Sequence, residues 1–514
     1  MNILEQYKDS INGTFSFFDR IIIKGHLNQF FTSNGAGAYA TKCNVLLKDF
    51  SKYAEGITND LKQYVEDYAK NSNRRIIYVN SPNQSKEDIV IEELKRLNIE
   101  EGLICIISSV ETCFTLAPIK NNVTGYLELK KANRKCLHYY FYLKDRKLGY
   151  MFFRLQTWFP FEASVYINGR ELIKPLLDEN NIEYTTYDNS FSYLSDINKA
   201  QDIANKLVDK AKDISTYLDS LADIYNPYLK TFKEITGGQT YRWYLYQIEY
   251  ATDIMFKDRK SLEDIYPSLV NYSFNSFNCN DVFTFLGRRL DSRFSGETLI
   301  DYKHRPIGYR VKFKLNSNHL KFYDKNNCLR VELTINNPYE FRIMKKAKDK
   351  YGKEVKRWVP MGKALCNLYR YAQIGKECNN RMISSLSNIV PVVSVNEDIE
   401  KVSKRKKINK RNVSAYNLLD KETYFLFQTI SNGNFIITGF NNKDIRDILY
   451  PNIDDLTSRS SKTTRTLRKL RDHNLIKKIS HSSRYLLTKK GRQITSAIIQ
   501  IKEKEYPLAA AKFA

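Results

Sequence analysis

The chain has 514 residues with 82 basic and 57 acidic side chains, a formal net charge of +25. Its 42% hydrophobic and 13% aromatic content excludes a largely disordered protein, and the cationic surplus favours a polyanionic partner. The most apolar run, residues 151–167, is broken by Arg154 and Glu162, and the start MNILEQYKDS has no secretory apolar core, so a cytoplasmic protein with no membrane partner is expected.

An α+β multidomain fold is expected, beginning with an α/β region over residues 1–135. There FDRIIIKGHL, RRIIYV and GLICIIS read as strands and KEDIVIEELKRL as an amphipathic helix. GAGAY, from Gly35, reads as a flexible turn. A β-rich block follows over residues 136–235, where HYYFYL and YMFFRLQ flank the turn KDRKLG as a hairpin. Residues 236–400 read as helices plus an antiparallel meander, with YRWYLYQIEYATDIMF taken as helical. No internal repeat is evident. The eight cysteines include no C-x-x-C pair and no zinc-ligand spacing, so buried free thiols and no metal are expected.

The meander is legible in GYRVKFKLNSNHLKFYDKNNCLRVELTINN, residues 308–337. Period-two reading puts Val311, Phe313, Leu315, Leu320, Phe322, Leu329, Val331, Leu333 and Ile335 on one face. The other face receives Arg310, Lys312, Lys314, Lys321, Tyr323, Arg330 and Glu332. A sheet face of this kind suits a nucleic-acid backbone with a base stacked on the ring; the alternative is an ordinary solvated face, against which the ladder of like charges on neighbouring strands counts.

Residues 401–413, beginning KVSKRKKINKRN, read as a basic linker in which Lys404, Arg405, Lys406 and Lys407 could grip phosphate. From residue 401 onward there are 25 basic and 9 acidic residues, most of the chain's surplus in under a quarter of its length. Residues 414–505 then show the helices DKETYFLFQTI, NNKDIRDILY (capped by Asn441 or Asn442) and SSKTTRTLRKLRDHNL (capped by Ser460 or Ser461). A hairpin IKKIS-HSS-RYLLT and a last helix follow. Leu467, Leu470 and Leu475 are expected inside.

This order resembles the winged helix-turn-helix family. The resemblance implies that Lys462, Thr463, Thr464, Arg465 and Arg468 face the major groove, with Lys469 on the same basic surface, and that His481, Ser482, Ser483 and Arg484 form the wing. The loop of residues 451–459 departs from the family's tight turn. FDRIIIKGHL, RKCLHYYFY, RLQTWFPF, YINGRE, QIEYATDIMF, LGRRL and LKFYDKNNCLRVELTINN together resemble a broad family of bacterial hypothetical proteins, which transfers no catalytic residue. KFYDKNNCLRVEL separately resembles a short hairpin of phage and plasmid replication initiators, implying a mobile-element context.

The sequence therefore points to a nucleic-acid-binding protein, with duplex DNA on the C-terminal module and a second strand or structured RNA on the body. No cofactor is expected, and a homodimer is compatible with the sequence. The alternative is a replication-initiator or transposition nuclease. It would use Mg²⁺ on carboxylates drawn from Asp19, Glu249, Asp253, Asp324 and Glu332, with a tyrosine nucleophile among Tyr323, Tyr369 and Tyr371. A transcription regulator is the third reading. The chain has no P-loop and no histidines two apart.

Overall fold

In the computed structural model the structure is described for residues 3–81, 84–209, 214–290, 294–305, 308–348, 352–386, 396–408, 411–418, 420–432, 435, 439–480 and 482–502. The strands of the body are β1 (Ile11–Leu27), β2 (Ile76–Tyr78), β3 (Gly102–Lys120), β4 (Leu127–Asp145), β5 (Gly149–Gln156), β6 (Ala163–Asn168), β7 (Tyr184–Tyr187), β8 (Ser190–Leu194), β9 (Tyr241–Phe256), β10 (Thr298–Arg305), β11 (Gly308–Leu315), β12 (Asn318–Lys325) and β13 (Cys328–Ile335). All but β7 and β8 join one mixed eleven-stranded sheet in the order β10-β11-β12-β13-β9-β1-β6-β5-β4-β3-β2. Among the described residues the one parallel pair is β2 with β3, bridged by the helix Lys86–Leu97. That is what a βαβ crossover requires.

The three sequence blocks 1–135, 136–235 and 236–400 all feed this sheet. β1 pairs with β6 on one side and with β9 on the other. One hydrophobic cluster runs from Ile3 to Leu386 across all three. Periodicity identifies a strand but not its partner, and these partners lie more than a hundred residues apart in sequence.

The sheet also contains a structural repeat that the sequence does not display. β1 is long, and the meander β3-β4-β5-β6 returns its last strand beside it. β9 is long, and the meander β10-β11-β12-β13 returns its last strand beside β9. The two long strands pair antiparallel at the centre. Topology constrains only the burial pattern of each strand, so two halves can share it with little side-chain likeness.

YRWYLYQIEYATDIMF is β9 rather than a helix. Both of its faces are covered, so every residue from Ile248 to Phe256 is buried, the polar Glu249, Thr252 and Asp253 included, and the alternation of a half-exposed strand is lost. GAGAY lies within the helix Ser33–Lys42, whose start is capped by Thr32, rather than in a turn. The 308–337 meander forms in the expected register, with Leu315 opposite Asn318 and Lys325 opposite Cys328. Asn316 and Asn326 take the left-handed backbone its two tight turns need.

Helices cover both faces of the sheet. Val311, Phe313, Leu329, Val331 and Leu333 pack into the large core with the helices Arg259–Ser276 and Leu368–Ser385. On the opposite face Phe15, Phe17, Ala251 and Met255 pack under the helices Gly169–Glu179 and Ile197–Asp209 and the hairpin β7-β8. Among the described residues, no helix is long and apolar enough to cross a membrane.

The C-terminal region has its own core of Phe427, Ile430, Ile445, Leu467, Leu470, Leu475, Leu487 and Ile494. The expected linker belongs largely to it. Residues Asn396–Ser403 form a helix whose Val402 is buried in that core, and β14 (Lys406–Ile408) pairs with β15 (Arg411–Val413). One buried valine and a short hairpin are enough to order a segment whose composition alone suggests a tether. The helices Lys421–Ile430, Asn442–Leu449 and Leu456–Asp472 follow, then β16 (Ile476–Lys478), β17 (Tyr485–Leu487) and the helix Lys489–Gln500. Asn441 caps the second of these helices in a capping box with Asp444. The third begins at Leu456 under an Asp455 cap, so much of the anticipated loop 451–459 is helical and Ser460 and Ser461 lie inside it.

Candidate active site

Four neighbouring strands of the sheet, β1, β9, β13 and β12, converge on one polar patch on the face that carries Phe15 and Phe17. Along β1 the pairing with β9 shifts between Phe18 and Arg20, leaving Asp19 as an extra residue. This β-bulge turns Asp19 and Arg20 toward the same face, the usual effect of an extra residue in a strand. Glu249 and Asp253 are four apart on β9 and share that face by strand periodicity, where a helix was expected to align them. Glu332 and Arg330 come from β13, and Tyr323 and Lys321 from β12.

Asp19, Glu249 and Glu332 each present a carboxylate oxygen, and these lie within 4.8 Å of one another. The Tyr323 hydroxyl donates to Glu332 Oε2 at 2.6 Å. Lys321 Nζ lies 2.7 Å from Glu332 Oε1 and 3.7 Å from Glu249 Oε1, bridging the two glutamates. Arg20 Nη2 reaches Glu249 Oε1 at 2.5 Å. Arg330 is fully buried and meets Asp19 at 2.7 Å, with Asp253 and Glu332 each at 3.3 Å. Its guanidinium lies 5.3 Å from the Phe17 ring centroid. The hairpin β7-β8 closes one side: Asn189 donates to Asp19 at 3.0 Å, and the Phe191 N–H donates to Asp253 at 2.8 Å.

The electrostatics separate the carboxylates. Burial disfavours a charged Glu332, but Lys321, Arg330 and the Tyr323 hydroxyl outweigh it and hold the carboxyl down to about 2. Burial dominates at Asp253 and pushes it up to about 7, against the pull of Arg330 and the Phe191 N–H. Burial, with Glu332 alongside, raises the Tyr323 phenol well above its ordinary range. Lowering pH through the range from about 4 toward 2 therefore removes stability contributed by Glu332. Raising pH from about 4 through about 7 costs stability at Asp253, because the unfolded carboxyl ionises near 3.9 and the folded one does not. Asp253→Asn should flatten the second slope and spare the first, which unfolding midpoints measured from about pH 2 to about pH 8 would read.

The remaining sequence candidates lie elsewhere. Asp324 faces the other side of β12 and pairs with Arg259. Tyr371 is buried in the large core, and Tyr369 is exposed on the same helix. The cationic meander face is largely ion-paired: Arg310 with Asp301 at 3.4 Å, Lys314 with Glu297 at 3.2 Å, and Lys321 and Arg330 as above. Burial, with Arg310 and Lys321 nearby, lowers the Lys312 pKa. β13 is covered on both faces, so Arg330 is not an outward phosphate ligand.

On the C-terminal helix Leu456–Asp472, Lys462, Thr464, Arg465, Arg468 and Arg471 are exposed. Lys462 lies over the Tyr450 ring at 4.5 Å. Thr463 is fully buried, and Lys469 turns inward to donate to the Ala415 carbonyl at 2.9 Å, so neither belongs to the exposed cationic face. Thr463 lies four residues before Leu467 and seven before Leu470, on the core-facing stripe, and Lys469 is drawn in by the Ala415 carbonyl and the Tyr416 ring. Thr464 accepts from Asn442 at 2.9 Å. Arg484 is held by the Gly439 carbonyl at 2.8 Å and Asp444 at 3.2 Å rather than pointing outward. Ser482 donates to the Ile479 carbonyl, and His481 lies outside the described residues. Lys404 pairs with Glu400 at 3.1 Å, Arg405 and Lys407 are exposed, and burial lowers the Lys406 pKa.

The sequence reading missed a two-stranded hairpin, Arg342–Lys348 with Glu354–Pro360, that sets Arg342, Lys345, Lys356, Arg357 and a 59% exposed Trp358 in solvent. Alternating basic residues around an exposed tryptophan were the available signal. Comparison with family models, curated proteins and solved structures gives no match for the chain.

Proposed function

We propose that the protein is a divalent-cation-dependent DNA strand-nicking and joining enzyme with Tyr323 as its nucleophile. The observation that carries this reading is the convergence of Asp19, Glu249 and Glu332 beside the Tyr323 hydroxyl. Three carboxylates supply hard oxygen ligands of the kind Mg²⁺ or Mn²⁺ takes. A cation held there would neutralise developing phosphate charge and bring the phenol's pKa down. Asp253 is held protonated up to about pH 7, so three ionised carboxylates face three cationic side chains, and a bound cation would displace Lys321 from between Glu249 and Glu332.

The chain's own groups define the rest of the chemistry. As the Tyr323 oxygen attacks phosphorus, its proton passes through Glu332 Oε2, which is too acidic to keep it, to the departing deoxyribose oxygen. A tyrosyl-phosphate ester forms as the P–O bond to one deoxyribose breaks, freeing a hydroxyl end. Arg20 and Lys321, each partly open to solvent at the rim, are placed to hold the phosphate. The number of phosphodiester bonds is conserved and the step reverses by attack of the freed hydroxyl, so no nucleotide hydrolysis is needed. That agrees with a sequence lacking a P-loop.

The C-terminal helices and hairpin, read as a winged helix, would bring duplex DNA to this centre. Support comes from the order of elements and from exposed Lys462, Arg465, Arg468 and Arg471 on one helix. The hairpin bearing Trp358 offers a stacking ring between cations for an unpaired strand. Arg465→Ala with Arg468→Ala should weaken duplex binding across all sequences. It should also reduce the slope of log affinity against log salt by about 2 if both contact phosphate. Fluorescence anisotropy at several salt concentrations measures this.

The deciding experiment incubates the full chain with Mg²⁺ or Mn²⁺ and with single-stranded, duplex or supercoiled DNA, then resolves the products under denaturing conditions. Nicked DNA with protein attached is expected. An intact fold that leaves every substrate uncut overturns the assignment in favour of a DNA-binding protein without chemistry.

A further inference from the structure

A second cluster lies at the other half of the sheet, on β3 and β4. Cys113 Sγ and Cys136 Sγ stand 3.0 Å apart, and a ring nitrogen of His138 lies within 4.8 Å of both. His138 is completely buried. Its Nδ1 donates to the Cys136 carbonyl at 3.1 Å, which fixes the tautomer and leaves Nε2 as a bare acceptor. Nε2 has no hydrogen-bond partner. A buried imidazole nitrogen with nothing to accept is costly in a folded protein, and its position beside two thiols supplies a reason for it. Both cysteines are half-exposed, so the cluster has an entrance.

We infer that Cys113, Cys136 and His138 form a three-ligand zinc site with an open fourth position. Two thiolates and one imidazole are the donor set of a borderline-soft cation, distinct from the all-oxygen cluster at Tyr323. With Zn–S near ~2.3 Å, tetrahedral geometry sets two sulfurs about 3.8 Å apart, so the thiols must separate by under an ångström to admit the ion. The hydrogen bond from Nδ1 to a backbone carbonyl is the outer support that zinc-bound histidines carry. The ion would tie β3 to β4 below their outer segment, residues 114–133, whose end exposes Val123 and Tyr126.

The test uses the full chain, reduced and stripped with a chelator, then titrated with Co²⁺. A thiolate-to-cobalt charge-transfer band should grow to one equivalent and vanish on adding Zn²⁺. Cys113→Ser and Cys136→Ser should each remove it. His138→Gln should cost more than the 10–100-fold in affinity that outer-support changes cost. Glu332→Gln should leave the band unchanged, which separates this site from the carboxylate cluster. Circular dichroism checks that each variant is folded. Absence of the band in the wild-type chain, its survival in the double cysteine variant, or an oxidised Cys113–Cys136 pair that forms without any metal uptake would overturn the assignment.

Discussion

Replacing Tyr323 with phenylalanine is expected to remove strand cleavage and the covalent protein–DNA adduct together, by about 10⁴-fold or more, because its hydroxyl is the one hydrogen-bonded directly to Glu332 of the carboxylate cluster. The ring stays, so packing on β12 is retained. Glu332 Oε2 keeps Arg330 at 3.3 Å as a partner, so the stability cost should stay at about 1 kcal/mol. Duplex affinity should not change, because the proposed DNA-reading helix lies in a separate core. Trapping the adduct on end-labelled DNA and mapping the modified peptide reads all of this directly. An adduct mapped to another tyrosine would reassign the nucleophile, and undiminished cleavage without any adduct would make the attacking group a water.

Arg330→Met is expected to lower folding stability by about 3–5 kcal/mol at pH 7, the largest effect on stability predicted for this site. The side chain is fully buried and compensates Asp19, Asp253 and Glu332 at once. Methionine fills much of the volume but leaves those charges facing one another in a low-dielectric setting. The deficit should shrink as pH falls, because protonating the carboxyls removes the repulsion that the arginine had offset. Urea unfolding followed by tryptophan fluorescence at two pH values checks both the size and the sign. A loss below about 1 kcal/mol would show that water or rearranged lysines already neutralise the cluster.

These two residues also show why one site was harder to read than its parts. Both were visible in the sequence on the polar face of a meander, and that meander has the expected strands, register and turns. Period two places Tyr323, Arg330 and Glu332 on one face, but it does not say whether water or another layer lies over that face. The hairpin β7-β8, more than a hundred residues earlier in the chain, supplies that cover. A face read as solvated cations is therefore an ion-paired, partly enclosed centre. Asp19 was visible as an acid in an apolar strand, but the bulge that aims it depends on its pairing with β9. His138, Cys113 and Cys136 gave no signal at all, since metal-ligand spacing within one turn or loop is recognisable and cross-strand proximity between β3 and β4 is not.

The sequence by itself determined the mixed α+β class, the meander and its two faces, the charge concentrated near the C-terminus, and the helices and hairpin there with Leu467, Leu470 and Leu475 inside. These follow from local rules, in which the period of apolar residues, caps and turn residues act over a few positions. Only the tertiary structure decided that three blocks share one sheet, that YRWYLYQIEYATDIMF is one of its two long inner strands, and that acids from three strands meet a tyrosine from a fourth. Pairing between strands hundreds of residues apart is set by the summed burial of whole faces, and no short stretch of sequence encodes that sum.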